Sequence, residues 1–254
     1  MKFLIVLTTA LLGTASFEDG RVELATLTEE RGGTIGKKPS SFHELEIALR
    51  VEGFKNARTY GNINVTEAKT NTGEDLVRRR EAGKYYITNV KEFKVLSDYE
   101  KMKNRFQVDL VLQPSSRQAK TIDLKGTFDI LIGGHETNIE FPNIRSLEGK
   151  TLEHKDFKAS GLKITIGKPR RDAEKRIEYT VTGNSILSKI TLVDAEGKAI
   201  KISGSGAAGS YYSSYSYWKR TVEPIPEDAK LRVTIFKDGK IKTIPFEFTN
   251  VDLP

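Results

Sequence analysis

Four of the nine tyrosines and the only tryptophan fall between Tyr211 and Trp218, and Lys219 and Arg220 follow directly. Aromatic rings on a strand can stack on sugar faces while phenol and indole tips reach hydroxyl groups, and two adjacent cations attract an anionic polymer. Tyr211, Tyr215, Tyr217, Trp218, Lys219 and Arg220 are therefore the candidate ligand-binding residues. Successive strand residues point to opposite faces, which puts Tyr211, Tyr215 and Tyr217 on one side and Tyr212 and Trp218 on the other. One set can equally be core, and a third use of such a segment is an aromatic edge that pairs with another chain.

Gly204-Ser205-Gly206-Ala207-Ala208-Gly209, just before this segment, has the spacing G-x-G-x-x-G. That pattern holds a dinucleotide only where a helix begins and turns its amino end to the pyrophosphate. The Ser and Tyr residues that follow favour a strand, so no nucleotide is expected. Gly149-Lys150-Thr151 lacks the earlier glycine of a phosphate loop, since Ile144 stands there. His43, His135 and His154 are scattered without metal-ligand spacing, and no G-x-S-x-G elbow supports a serine nucleophile. Asn71-Thr72-Gly73-Glu74-Asp75 offers oxygen ligands but lacks the full calcium-loop pattern, and a turn in which Asn71 bonds its own backbone explains it. With no cysteine in the chain, thiol catalysis, thiolate zinc and iron–sulfur clusters are excluded, and no cofactor is expected. A glycosidase would need two carboxylates about 5–10 Å apart in a cleft; nothing in the sequence selects such a pair from the 34 acidic residues.

The elements that would position these residues are strands. Apolar side chains recur at every second position in Leu45, Ile47, Leu49 and Val51, and again in Phe106, Val108, Leu110 and Leu112. The same period runs through Ile122, Leu124, Phe128, Ile130 and Ile132, with Gly126 marking a bulge or a close backbone approach. It resumes in Leu162, Ile164 and Ile166 and in Ile177, Tyr179 and Val181. Asp194-Ala195-Glu196-Gly197 reads as a hairpin loop. Asp238-Gly239, between Leu231 to Phe236 and Ile241 to Phe248, is the stronger hairpin signal, because both residues tolerate positive φ. The rhythm breaks at 147–161, where Thr151 can cap a short helix, Leu152 and Phe157 can pack inward and Gly161 can end it.

The expected architecture is all-β, with two consecutive antiparallel immunoglobulin-like β-sandwich domains joined by a short helical linker. The divisions are a signal peptide (1–16), an N-terminal strand and flexible linker (17–42), a first sandwich (43–146), the helical linker (147–161) and a second sandwich (162–254).

The start of the chain sets the compartment. Lys2, the apolar run Phe3 to Leu12 and the small residues Gly13-Thr14-Ala15-Ser16 follow the plan of a secretory signal peptide. The run is too short for a span, which needs about 20 residues, so no transmembrane segment is expected after cleavage, and the destination is periplasmic or secreted. The 41 basic and 34 acidic residues give a net charge of +7, or +6 once Lys2 is lost. Outside the cytoplasm this favours an envelope glycan, or another envelope protein, over nucleic acid as partner.

Leu49-Arg50-Val51-Glu52-Gly53, Tyr60-Gly61-Asn62-Ile63, Thr72-Gly73-Glu74-Asp75-Leu76, Ala119-Lys120-Thr121-Ile122, Leu124-Lys125-Gly126, Pro226-Glu227-Asp228-Ala229-Lys230-Leu231 and Pro245-Phe246-Glu247-Phe248 carry a resemblance. The chain resembles uncharacterised exported bacterial proteins with two consecutive β-sandwich regions. The resemblance implies export and a double sandwich, and it brings no catalytic residues. The function expected is a non-enzymatic envelope protein that binds or scaffolds. The alternatives are a carbohydrate-binding module using the aromatic strand, and a hydrolase with a loop-assembled site.

Overall fold

A computed structural model describes residues 6–7, 14–17, 20–31, 43–77, 90–169, 172–210 and 214–254. The strands in chain order are β1 (Val6–Leu7), β2 (Thr14–Phe17), β3 (Gly20–Arg31), β4 (His43–Glu52), β5 (Ala57–Thr70), β6 (Val90–Val95), β7 (Arg105–Leu112), β8 (Thr121–Phe141), β9 (Lys163–Gly167), β10 (Arg176–Thr182), β11 (Leu187–Val193), β12 (Ile202–Ser210), β13 (Ser214–Thr221) and β14 (Lys230–Asp252). The helices α1 (Asp98–Lys103) and α2 (Lys155–Ser160) are six residues each. All described pairings between strands are antiparallel, so the all-β expectation holds. No helix among the described residues is long and apolar enough to cross a membrane.

Three sheets form. A first outer sheet has the order β1-β3-β4-β7, with β2 also paired to β3, and a second has the order β12-β13-β10-β9. Between them runs a shared sheet, β11-β14-β8-β5-β6. Its centre is the ladder of β8 and β14, which pairs from Leu231↔Phe141 to Asp252↔Thr121. One end of this ladder is flanked by β5 and closes a core with the first outer sheet. The other end is flanked by β11 and closes a core with the second.

The alternating segments bury as their period requires. Leu45, Leu49, Val51, Val108 and Leu112 are wholly buried in the first core, as are Ile164, Leu192 and Val233 in the second. Burying a side chain of this size contributes roughly 1.5–3 kcal/mol, which lets both cores form without disulfides.

The cores do not divide along the chain. Ile244, Phe246, Phe248 and Val251, at the carboxyl end, belong to the first core together with Val22, Leu24 and Leu27 of β3. The strand around Arg21 to Thr28 is therefore an integral member of the first sheet, paired with β4 from Arg21↔Glu52 to Arg31↔His43. The residues between Gly32 and Phe42 of the expected linker lie outside the described ones.

Asp238-Gly239 makes no hairpin. The ladder passes straight through it, with Lys237↔His135 and Gly239↔Gly133 in register. The positive φ that the residue types announce is present, at Asp238 (62°) on β14 and at Gly133 (73°) and Gly134 (77°) opposite. Both strands therefore leave the extended conformation at one level, and the inward positions change parity across it. Residues 244, 246 and 248 face the first core, whereas 231, 233 and 235 face the second. A side chain on Gly134 would lie 2.8 Å from the Lys237 carbonyl oxygen, so only glycine fits the crossing.

Gly126 meets the expected close approach: a Cβ there would lie 2.5 Å from the Asn64 carbonyl oxygen. The bulges fall in the partner strand, with register shifts between Gly61 and Asn64 and between Val65 and Glu67. The 147–161 segment differs from its reading. Thr151 bridges to Thr165 of β9, and His154 caps α2 through Nδ1, which accepts from the Asp156 amide at 3.3 Å. Gly161 ends the helix in the left-handed conformation. Because Leu152 and Phe157 are buried in the second core, the segment is part of that core's wall.

Candidate functional site

From Ser214 onward the aromatic segment lies on β13, between β12 and β10. G-x-G-x-x-G falls in strand β12 and starts no helix, which removes the geometry that a dinucleotide needs.

Pairing with β10 sets the two faces of β13. Tyr217 lies opposite Tyr179, packs against the second core, and holds its ring 5.4 Å from that of Tyr179 at 17°. Tyr179 is buried, and burial pushes its hydroxyl up to about 12. Lys219, opposite Ile177, shares this inner parity and is half-buried, and loss of water lowers its ammonium from the ordinary lysine value. Tyr211 lies outside the described residues. Of Tyr215 only the backbone is described, paired with Val181 and Gly209.

Trp218 and Arg220 occupy the outer face. Trp218 stands opposite Glu178 on one side and Gly206 on the other. Its indole lies against β12, where a Cβ on Gly206 would fall 2.6 Å from Nε1 and one on Gly204 would fall 3.5 Å from Cζ3 and Cη2. Those two glycines make the bed for the ring. Arg176 of β10 places its guanidinium carbon 4.7 Å from the indole centroid, a cation–π distance. Its Nε is 3.0 Å from Glu178 Oε1, an ion pair without hydrogen-bond geometry. Arg220, exposed, pairs with Asp172 at 3.2 Å. The neighbouring outward positions are Ser216 on β13, Thr180 on β10 and Thr165 on β9. The result is a flat face with one held indole, two guanidinium groups and short hydroxyl side chains around them. Such a face presents guanidinium and hydroxyl donors to acid groups or hydroxyls.

The six sequence candidates thus separate. Tyr217 and Lys219 turn inward, and Trp218 and Arg220 turn outward. Arg176 joins the outer pair and was missed, because its relation to Trp218 depends on a strand 42 positions away in sequence.

The other motifs resolve to structure. Asn71 Oδ1 accepts from the backbone amides of Lys120 (2.8 Å) and Thr121 (3.3 Å) instead of from its own turn, and Glu74 Oε2 accepts from the Ser116 amide. Asp75 Oδ1 accepts from the Val77 amide. Asn71 and Glu74 thereby tie the turn after β5 to the segment leading into β8, while Asp75 closes its own turn. A cleft of about 440 Å³ lies beside the ladder crossing, lined among others by Leu131, Asp156, Ser160, Phe236 and Asp238. Asp156 lies 3.7 Å from His154 Nδ1, and Asp238 lies 3.8 Å from His135 Nδ1. The Ser160 hydroxyl donates to the Asp156 carbonyl within α2, which is the bonding of a helix end and not of a nucleophile with its base. Among the described residues no group of three or more His, Asp or Glu is placed to hold a metal ion.

Comparison with family models, with curated proteins and with solved structures returned no match.

Proposed function

We propose that this chain is a non-enzymatic, exported envelope protein that binds an anionic glycan on the outer face of the β12-β13-β10-β9 sheet. The observation that carries the reading is Trp218, outward-facing, bedded on Gly204 and Gly206 and accompanied by Arg176 and Arg220. The indole, held between the β12 glycines and Arg176, fixes in place the guanidinium that a ligand acid group would meet. The two guanidinium groups, each paired with a carboxylate (Glu178 and Asp172), would exchange that partner for a ligand acid group, and the basic net charge favours an anionic ligand. On this reading residues 1–16, and with them β1 and most of β2, are removed at export, leaving β3-β4-β7 as the first sheet; the protein works in the periplasm or outside the cell, with two immunoglobulin-like sandwich units.

The test is affinity electrophoresis, backed by calorimetry, of the mature protein against uronate-containing and neutral polysaccharides. Wild type is expected to bind the uronate polymers. Trp218→Ala and Arg220→Ala should each weaken binding at least tenfold, and Tyr217→Phe should leave it unchanged. Equal binding by the Trp218→Ala variant would overturn the assignment.

A further inference from the structure

Strand β12 ends its sheet, and among the described residues its ladder runs to β13 alone. Residues 204–210 read Gly-Ser-Gly-Ala-Ala-Gly-Ser and pair with β13 without a break, from Gly204↔Arg220 to Ser210↔Ser214. An open edge invites another strand, and proteins blunt it with charge, proline, a bulge or cover. Among the described residues the other edges are blunted in these ways. The segment 149–152 covers β9, where the Ile166 amide donates to the Lys150 oxygen and the Leu152 amide to the Ile164 oxygen. The return after β11 covers that strand through the Ile200 amide on the Leu192 oxygen. Lys91, Glu92 and Lys94 stand on β6, and Arg105, Gln107 and Asp109 on β7. The β3 edge left when residues 1–16 are removed carries Arg21, Glu23 and Glu30 and bulges between Leu24 and Thr26. Over 204–210 β12 has no charge, no proline and no bulge. Glycine inside a strand marks a place where another backbone comes close. The Trp218 ring accounts for Gly204 and Gly206, which leaves Ala207, Ala208 and Gly209 for another purpose.

We infer that β12 is an interaction surface for a second copy of this chain, pairing antiparallel with the same strand of that copy about a twofold axis at Ala207. The run complements itself when reversed. In that register Gly204 meets Ser210, Ser205 meets Gly209, Gly206 meets Ala208 and Ala207 meets its own copy. Every pair away from the axis holds one glycine, so the two backbones close without crowding. A twofold interface requires self-complementarity of this kind. The run also carries no charge, so two chains of basic net charge meet where repulsion is least. The pairing joins two copies of the β12-β13-β10-β9 sheet into one of eight strands. Its axis stands perpendicular to the sheet, which puts both Trp218 faces on one side. At about 4.8 Å per strand, the two β13 strands lie about 14 Å apart. The contact is made by the backbone of β12 and stands whether or not the Trp218 face takes a glycan.

The test is the mass of the mature protein in solution, read by light scattering on a sizing column across a wide range of concentration. Wild type should reach twice the mass of one chain at the high end. Ala207→Lys sets like charges face to face at the axis and should give a monomer whose circular dichroism matches wild type. Because the chain has no cysteine, a single one reports the register even if the lysine variant fails to fold. Ala207→Cys should form a disulfide-linked dimer on oxidation, since directly opposed residues fall within the about 4.4–6.8 Å between Cα atoms that a disulfide spans. Ser205→Cys, about 14 Å from its own copy in this register, should not cross-link. Folded wild type that keeps the mass of one chain at every concentration overturns the inference. So does a dimer that Ser205→Cys links as readily as Ala207→Cys.

Discussion

The two outer sheets solve the same packing problem and leave opposite surfaces. Each lays alternating apolar residues against one end of the β8 and β14 ladder. On the first sheet a small residue, Ala48, lies in a hollow lined by polar residues such as Thr26, Glu46 and Asp109 and by the apolar Ile47, Leu110 and Val111. On the second, Gly204 and Gly206 are also small, but the hollow they leave is filled by the Trp218 indole beneath Arg176. Cores made by one rule thus carry faces of contrasting chemistry, and the contrast comes from which positions lack a side chain.

The largest effects should come from breaking either end of the shared ladder. Phe246→Ala in the first core and Ile235→Ala in the second are each expected to cost about 2–5 kcal/mol, because both residues are essentially inaccessible. Because β14 serves both cores, urea unfolding of either variant, followed by circular dichroism and by Trp218 fluorescence together, should give one coincident transition. Two separated transitions would show that the ends unfold independently. Next in size is the crossing itself. Gly134→Val, where a Cβ would meet the Lys237 carbonyl oxygen at a φ of 77°, should cost about 3 kcal/mol or more by the same denaturation assay. Asp238→Val, at φ 62°, should cost about 1–2 kcal/mol.

A smaller effect separates the sheets by pH. Glu52 joins β3, β4 and β7, with Oε2 2.6 Å from Arg21 and Oε1 2.5 Å from Arg105. The Arg21 hydrogen bond first, and the charge of Arg105 after it, hold its carboxyl below the ordinary 4.5. A depressed folded pKa means that the stabilisation is complete above the unfolded value and is lost as pH falls through the folded one. Wild type should therefore lose stability below about pH 4.5, and Glu52→Gln should show a shallower acid limb in thermal melts at pH 3–7.

The alternating strands were legible because a half-buried strand writes its inner face at every second position, as Leu45 to Val51 and Ile177 to Val181 show. Their partners were not, because pairing such as Phe246↔Gly126 joins residues far apart in sequence. Asp238-Gly239 shows the limit of a local signal: the residues demanded positive φ, but a hairpin and a mid-ladder break make the same demand. Helix α1 was missed although its signal was readable, for Ser97 and Glu100 form a capping box in which the Ser97 amide donates to Glu100 Oε2 at 2.7 Å. At the candidate site, alternation separated Tyr217 from Trp218 correctly. Which of the two faced the core was decided by Tyr179, across the sheet, and the sequence of β13 carried no trace of it.

Trp218 is the only tryptophan, so its fluorescence reports the proposed glycan face directly. The mature protein titrated with a uronate-containing polysaccharide should show a saturable change in emission that is lost in Arg176→Ala and Arg220→Ala and weakened by salt. A flat response from folded protein, or a change that survives both substitutions, would contradict the assignment of ligand binding to this face.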